Sequence, residues 1–224
     1  MNNPIIINTG FPRSATMAVA NFYSLLGINA RHEPAPFITS LWLWSKDEQR
    51  GAHDLSNPPG RIIDKVNALF EKEFKTYRAI SDWTLGFLLY HIGNRAGSGA
   101  ELLFTIRDPV ETINSVYAFE SRPENVTIDM IAKKWYIYHD HLLDQMRAGV
   151  KIKFMFFERL VKGEYGRKLC DIAGIDNSEY SKVVCENMWK MKHNHFKDYE
   201  IKPIPAACAA MYSDLRDLAE IMEL

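Results

Sequence analysis

Two stretches of this chain have the residue types and spacing to hold a phosphorylated anion. The first is Gly10-Phe11-Pro12-Arg13-Ser14-Ala15-Thr16, which follows the apolar, β-branched run Ile5-Ile6-Ile7. A buried strand, a tight loop and a helix N-terminus in succession leave unpaired backbone N–H groups pointing at one place, and the helix dipole adds partial positive charge there. Arg13 contributes a full charge with fork geometry, and Ser14 and Thr16 contribute hydroxyl donors. The second stretch is Leu103-Phe104-Thr105-Ile106-Arg107-Asp108-Pro109, with Ser115 eight residues beyond the arginine. An arginine can neutralise a dianion and a hydroxyl can take a remaining oxygen. Spacing alone does not bring Arg107 and Ser115 together. The plain alternative is an ion pair for Arg107 and a mid-helix serine at 115.

These residues need a scaffold that presents them on one edge. The apolar pattern turns helical from Ser14 to Leu26, with Gly27 as its stop, and Ile28 to Arg31 reads as a second strand. Residues 61–75 form an amphipathic helix, with Ile62, Val66, Leu69 and Phe70 on one stripe. Tyr77 to Ile80 is a third strand, Leu85 to Ile92 a helix, Gly93 to Gly99 a loop and Leu102 to Ile106 a buried strand. Asp108 caps a helix beginning at Pro109, and Thr127 caps a long helix through Trp135, Tyr138 and Met146. Lys151 to Phe157 is the last strand. Alternation of this kind predicts an α/β domain of three layers, with a central, mainly parallel sheet. Ligands in such sheets bind beyond the carboxyl ends of the strands, just after Ile7, Ile80, Ile106 and Phe157. Residues 36–60, with Trp42 and Trp44, show no period and suit an irregular insertion that walls an acceptor pocket.

The first loop is not a Walker A motif, which ends Gly-Lys-Ser/Thr where this chain has Ser14-Ala15-Thr16. It resembles the 5′-phosphosulfate loop of sulfotransferases, usually Pro-Arg/Lys-Ser-Gly-Thr-Thr. Pro12, Arg13, Ser14 and Thr16 match; Ala15 replaces a glycine and Met17 a threonine hydroxyl. Arg107 and Ser115 repeat the arrangement with which that family grips the 3′-phosphate of its nucleotide, and Trp135 and Phe157-Glu158-Arg159-Leu160 extend the similarity. The resemblance implies a P-loop NTPase-like sulfotransferase fold over residues 1–224 as a single domain. It also implies 3′-phosphoadenosine 5′-phosphosulfate (PAPS) as co-substrate, its desulfated form PAP as product, and no metal. Gly10, Pro12, Arg13, Ser14, Ala15, Thr16, Met17, Arg107 and Ser115 are the implied nucleotide-binding residues.

Sulfuryl transfer, like phosphoryl transfer, needs a stabilised leaving phosphate, gripped peripheral oxygens and a base for the acceptor. Arg13 and the helix N-terminus fit the first task, and Ser14 and Thr16 the second. For the base, Glu33 lies where several carbohydrate and tyrosine sulfotransferases place a catalytic glutamate. His32 beside it is of the type that ordinarily serves as a base near neutral pH, and Asp82 is an outside candidate that also suits a helix cap. Trp83 reads as core, His139-Asp140-His141 as surface, and 190–195 as a basic segment that is either a solvated loop or, as the resemblance implies, a loop over the nucleotide.

A formal net charge of -1, with 25% charged and 47% hydrophobic residues, excludes a global field for nucleic acid or anionic membrane. Cys170, Cys185 and Cys208 lack metal-ligand spacing and read as buried free thiols. With no apolar run of membrane-spanning length, the expectation is a soluble, cytoplasmic enzyme acting on a small-molecule or carbohydrate acceptor. Two other readings stay open: a degenerate PAP-binding module, suggested by Ala15 and Met17, and an atypical small-molecule kinase.

Overall fold

The computed structural model describes residues 4–32, 53–118, 126–176 and 201–224. Glu33, Trp42, Trp44, Cys185 and the 190–195 segment lie outside the described residues. Five strands, β1 (Ile5–Thr9), β2 (Ala30–His32), β3 (Ala79–Ser81), β4 (Ala100–Ile106) and β5 (Lys153–Phe156), form one parallel sheet in the order β2-β3-β1-β4-β5. The connecting helices are α1 (Thr16–Leu25), α2 (Gly60–Ala68), α3 (Leu89–Ala96), α4 (Pro109–Tyr117) and α5 (Ile128–Arg147). They are followed by α6 (Phe157–Leu160), α7 (Gly166–Ile172) and α8 (Ala206–Ile221).

The strands alternate faces with period two, and this alternation builds two cores. Ile6, Ala79, Leu103 and Met155 face α1 and α7, packing on Val19, Phe22, Tyr23, Leu169 and Cys170. Ile7, Ile80, Phe104 and Phe154 face the opposite layer, packing with Ile62, Leu89, Trp135, Leu142 and Leu215 of α2, α3, α5 and α8. The result is the three-layer α/β architecture expected from the sequence. Cys170 and Cys208 are buried free thiols, and Trp83 is core. No helix among the described residues is long and apolar enough to cross a membrane.

Several boundaries differ from the sequence reading. The second strand starts at Ala30 and ends at His32, and the last strand stops at Phe156 because Phe157 opens α6. The 61–75 helix is interrupted by a π-helical stretch, Leu69–Glu73. Gly93 to Ala96 is helix rather than loop. There the guanidinium of Arg95 covers the Phe70 ring at 4.8 Å and bonds Asn67, so tertiary contacts outweigh the low helix propensity of Gly93. The helix stops at Gly97, whose φ of 57° suits glycine.

The edge of β5 is covered by the C-terminal residues. Phe154 N–H donates to Met222 O at 3.1 Å, and Leu224 N–H donates to Phe154 O at 2.9 Å. On the other side of the sheet, Tyr138 of α5 lies against the backbone of Gly86, where a Cβ would overlap the phenol hydroxyl and the ring edge beside it. Gly86→Ala is therefore expected to cost about 1–3 kcal/mol, read as a lower urea midpoint with an unchanged m-value. An unchanged midpoint would show that the Tyr138 ring yields at no cost.

Candidate functional site

The site is assembled at the carboxyl edge of β1, β3 and β4. Gly10 is required where the chain leaves β1, because a Cβ there would lie 2.6 Å from the Thr105 carbonyl of β4. The loop then turns tightly, with Ser14 N–H donating to Phe11 O at 3.1 Å. Arg13 and Ala15 hold φ values of 72° and 62°, left-handed backbone on residues that carry a Cβ. Such positions cost on the order of 1–3 kcal/mol each and persist only where surroundings impose them. Ala15 occupies the cap position of α1 and has no side-chain acceptor for the first helical amides. Ala18 N–H donates to the Ala15 carbonyl at 3.0 Å, which leaves the amides of Thr16 and Met17 to open the helix beside the loop.

Two sets of buried hydrogen bonds hold the loop from below, one on each face of the sheet. On the α1 face, Thr105 Oγ1 donates to Asn8 Oδ1 at 3.3 Å and Asn8 Nδ2 to Ser81 Oγ at 2.7 Å. Ser81 Oγ in turn donates to the Thr16 carbonyl at 2.5 Å. On the α5 face, the Thr9 hydroxyl lies 3.0 Å from the Tyr138 hydroxyl, which donates to Trp83 O at 2.7 Å. Burial raises the Tyr138 pKa far above its ordinary value, so the phenol keeps its proton and remains a donor.

From β4, Arg107 reaches across to the loop. Its Nη1 donates to the Arg13 carbonyl at 2.9 Å, and Nη2 and Nε donate to Glu111 Oε2 at 3.1 and 3.4 Å. The guanidinium stacks on Phe157, 4.2 Å from the ring centroid. Asp108 caps α4 by accepting from Val110 N at 2.8 Å and Glu111 N at 3.2 Å, with Pro109 at the first position, as the sequence indicated. Residues 107, 111 and 115 follow each other at intervals of four, so α4 turns Glu111 and Ser115 to one side. Ser115 Oγ accepts from Arg13 Nε at 3.3 Å. The structure thus brings Arg13, Arg107 and Ser115 into one cluster, with Arg107 paired to Glu111 and Ser115 bonded to Arg13 rather than to Arg107.

The remaining sequence candidates are distributed around this cluster. Ser14 and Thr16 are buried at 1% and 7% exposure, Pro12 is half-buried, and Met17 is exposed. His32, at the end of β2, places Nε2 3.1 Å from Thr16 Oγ1. Asp82 is buried and caps the turn Trp83–Phe87, accepting from the backbone N–H and the hydroxyl of Thr84, both at 2.8 Å. Glu33 follows His32 but lies outside the described residues.

One expectation is overturned. His139 and His141 are not surface residues: they are 1% and 3% exposed. Helix α5 is covered on more than one side, by the sheet, α4 and α8, and its buried arc takes in positions 138, 139, 141 and 142. The signal was present in the spacing, since His139 lies four residues after Trp135 and three before Leu142. His139 Nδ1 bonds the Trp135 carbonyl at 2.8 Å. His53, His91 and His141 form an imidazole cluster, with Nε2 of His53 and His91 2.9 Å apart and the His53 and His141 ring centroids 4.8 Å apart. The sequence reading also missed Asn8, Ser81, Thr105 and Glu111, whose roles depend on strand register and helix phase.

Burial lowers the pKa of His91 and His141 and takes that of His139 down to about 4, from an ordinary 6.5. The unfolded chain therefore takes up these protons first. Their stabilising contribution is complete above about pH 6.5 and is lost as pH falls toward 4. For His139 alone this is on the order of 3 kcal/mol. Urea unfolding free energy is expected to fall between pH 7 and pH 5, and His139→Phe to flatten that slope; identical slopes would reject the assignment.

No protein-family model matches the sequence, and comparison with characterised proteins finds no sequence match. Comparison with solved structures finds a sulfotransferase domain from the Synechococcus PCC 7002 olefin synthase. It has a TM-score of 0.56 and 15% identity, covering 96% of this chain and 94% of that one. A sulfotransferase domain from the curacin biosynthetic pathway has a TM-score of 0.48 and 12% identity, over 95% and 97% of the two chains. The five-stranded parallel sheet and its flanking helices thus share the fold of the olefin-synthase domain over nearly its whole length.

Proposed function

We propose that the chain is a single-domain sulfotransferase that moves a sulfuryl group from PAPS to a hydroxyl or amine of a small-molecule or carbohydrate acceptor. The observation that carries this reading is the convergence of Arg13, Arg107 and Ser115 beside the N-terminus of α1. Two arginines and a helix N-terminus at one sheet edge suit a ligand with two separated anionic groups, which PAPS has. A sulfotransferase-domain fold at that edge agrees with it.

In this reading Arg13 and the amides at the start of α1 stabilise the charge that develops on the leaving phosphate. Ser14 and Thr16 hold the sulfuryl oxygens, and Arg107 with Ser115 holds the 3′-phosphate. Glu33 or His32 accepts the acceptor's proton; His32 is already hydrogen-bonded to Thr16 at the loop. None of these steps calls on a metal. The backbone of Ala15 gives a second reading its support. A left-handed φ of 62° at a residue with a Cβ fits a degenerate module that binds PAP without turning over.

Arg107→Ala is expected to weaken PAP binding roughly 10- to 100-fold, measured by calorimetry; unchanged affinity would remove the 3′-phosphate assignment. Glu33→Gln and His32→Gln separate the two bases. The true base loses about 10²–10⁴ in kcat while PAP affinity holds. Wild-type PAP binding with no transfer across a broad acceptor panel would favour the degenerate module.

A further inference from the structure

Glu111 has no part in the roles assigned above, yet it holds the Arg107 guanidinium most directly. Both N–H groups of one guanidinium edge, Nε and Nη2, converge on its Oε2 at 3.4 and 3.1 Å. Nη1 is committed to the Arg13 carbonyl, and one face of the plane lies on Phe157. The two partners differ sharply in solvent contact: the Arg107 side chain is 3% exposed and that of Glu111 is 54% exposed. A guanidinium buried to that degree needs an anion, because an uncompensated buried charge is costly. The Glu111 carboxylate supplies one, and its own side chain faces water.

We propose that Glu111 is a specificity-determining residue for the donor: its carboxylate and the 3′-phosphate compete for the Nε–Nη2 edge of Arg107. This rests on the PAPS reading. Carboxylate and phosphate oxygens satisfy the same guanidinium geometry, so one anion exchanges for the other without leaving Arg107 uncompensated. The exposed glutamate can swing into water at small cost, whereas Arg107 stays in place through the Arg13 carbonyl and Phe157. After the exchange the displaced carboxylate remains a near neighbour of a dianion and repels it. Glu111 therefore weakens binding of nucleotides with a 3′-phosphate and leaves nucleotides with a 3′-hydroxyl unaffected.

The test compares PAP with 5′-AMP, which lacks the 3′-phosphate, by calorimetry on the full chain. Glu111→Gln is expected to bind PAP about five- to tenfold more tightly than wild type and 5′-AMP equally well. In an Arg107→Ala background the gain disappears. Glu111→Ala repeats the comparison without an amide that could re-bond Arg107. PAP affinity unchanged or weakened in both Glu111 variants overturns the proposal, as does an equal gain for 5′-AMP, which would mark a general field effect. Failure of the donor reading gives a separate pattern: wild type and both variants all fail to bind PAP, and the proposal falls with it.

Discussion

The hydrogen bond from Arg107 to the carbonyl of Arg13 is the contact on which the site depends. It runs from the end of β4 to a loop whose backbone is held left-handed at Arg13 and Ala15. That conformation does not pay for itself, since a residue with a Cβ gives up on the order of 1–3 kcal/mol there. A charged donor buried to 4% exposure and stacked on Phe157 supplies a strong, directional restraint on the carbonyl between the two strained residues. The same guanidinium pairs with Glu111, and the Arg13 side chain bonds Ser115 on the same helix. Loop, strand end and α4 therefore behave as one unit.

Beneath that unit the sheet gives up apolar packing for polar support. Along β1, Ile6 and Ile7 are packed into opposite cores, but the next two residues are Asn8 and Thr9. The strand's two-residue alternation sends Asn8 toward Ser81, Thr105 and the first turn of α1, and sends Thr9 toward Tyr138 of α5. One polar pair at the strand end thus anchors the loop to both helical layers. Buried polar groups are tolerated only when their partners are in place. The register that pairs Asn8 with Ser81 and Leu103 is consequently a requirement of the site as well as of the sheet.

What the sequence revealed follows from how local each signal is. The run Ile5-Ile6-Ile7, the Asp108-Pro109 cap and the Thr127 cap are written in neighbouring residues, and the structure places each where the spacing put it. The loop proposed to bind phosphate is equally local. Such a loop draws its donors from its own backbone and first helical turn, so the types Gly10, Arg13, Ser14 and Thr16 suggest it. Asn8, Ser81 and Thr105 lie on three different strands and acquire a role only once order and register are known. Glu111 appears as one more acid in the first turn of a helix until Arg107 is seen to fold back on it. His139 and His141 were misread because a helix covered by both sheet and helices buries a wider arc than one stripe.

The same distinction separates the two halves of a group-transfer site. Phosphates are alike in every ligand that carries them, so a chain can bind them with a reusable local device: a loop, a helix start and an arginine. An acceptor is recognised by the shape and polarity of a pocket whose walls come from distant parts of the chain, and no short motif describes such a pocket. Here Arg13, Arg107 and Ser115 come from the ends of neighbouring strands and the helices that follow them, where sheet geometry fixes their separation. His32 is the last residue of β2 and lies within hydrogen-bond distance of Thr16, so the loop itself positions this imidazole. In the proposed reading, donor binding and base placement are therefore linked through one hydroxyl, that of Thr16.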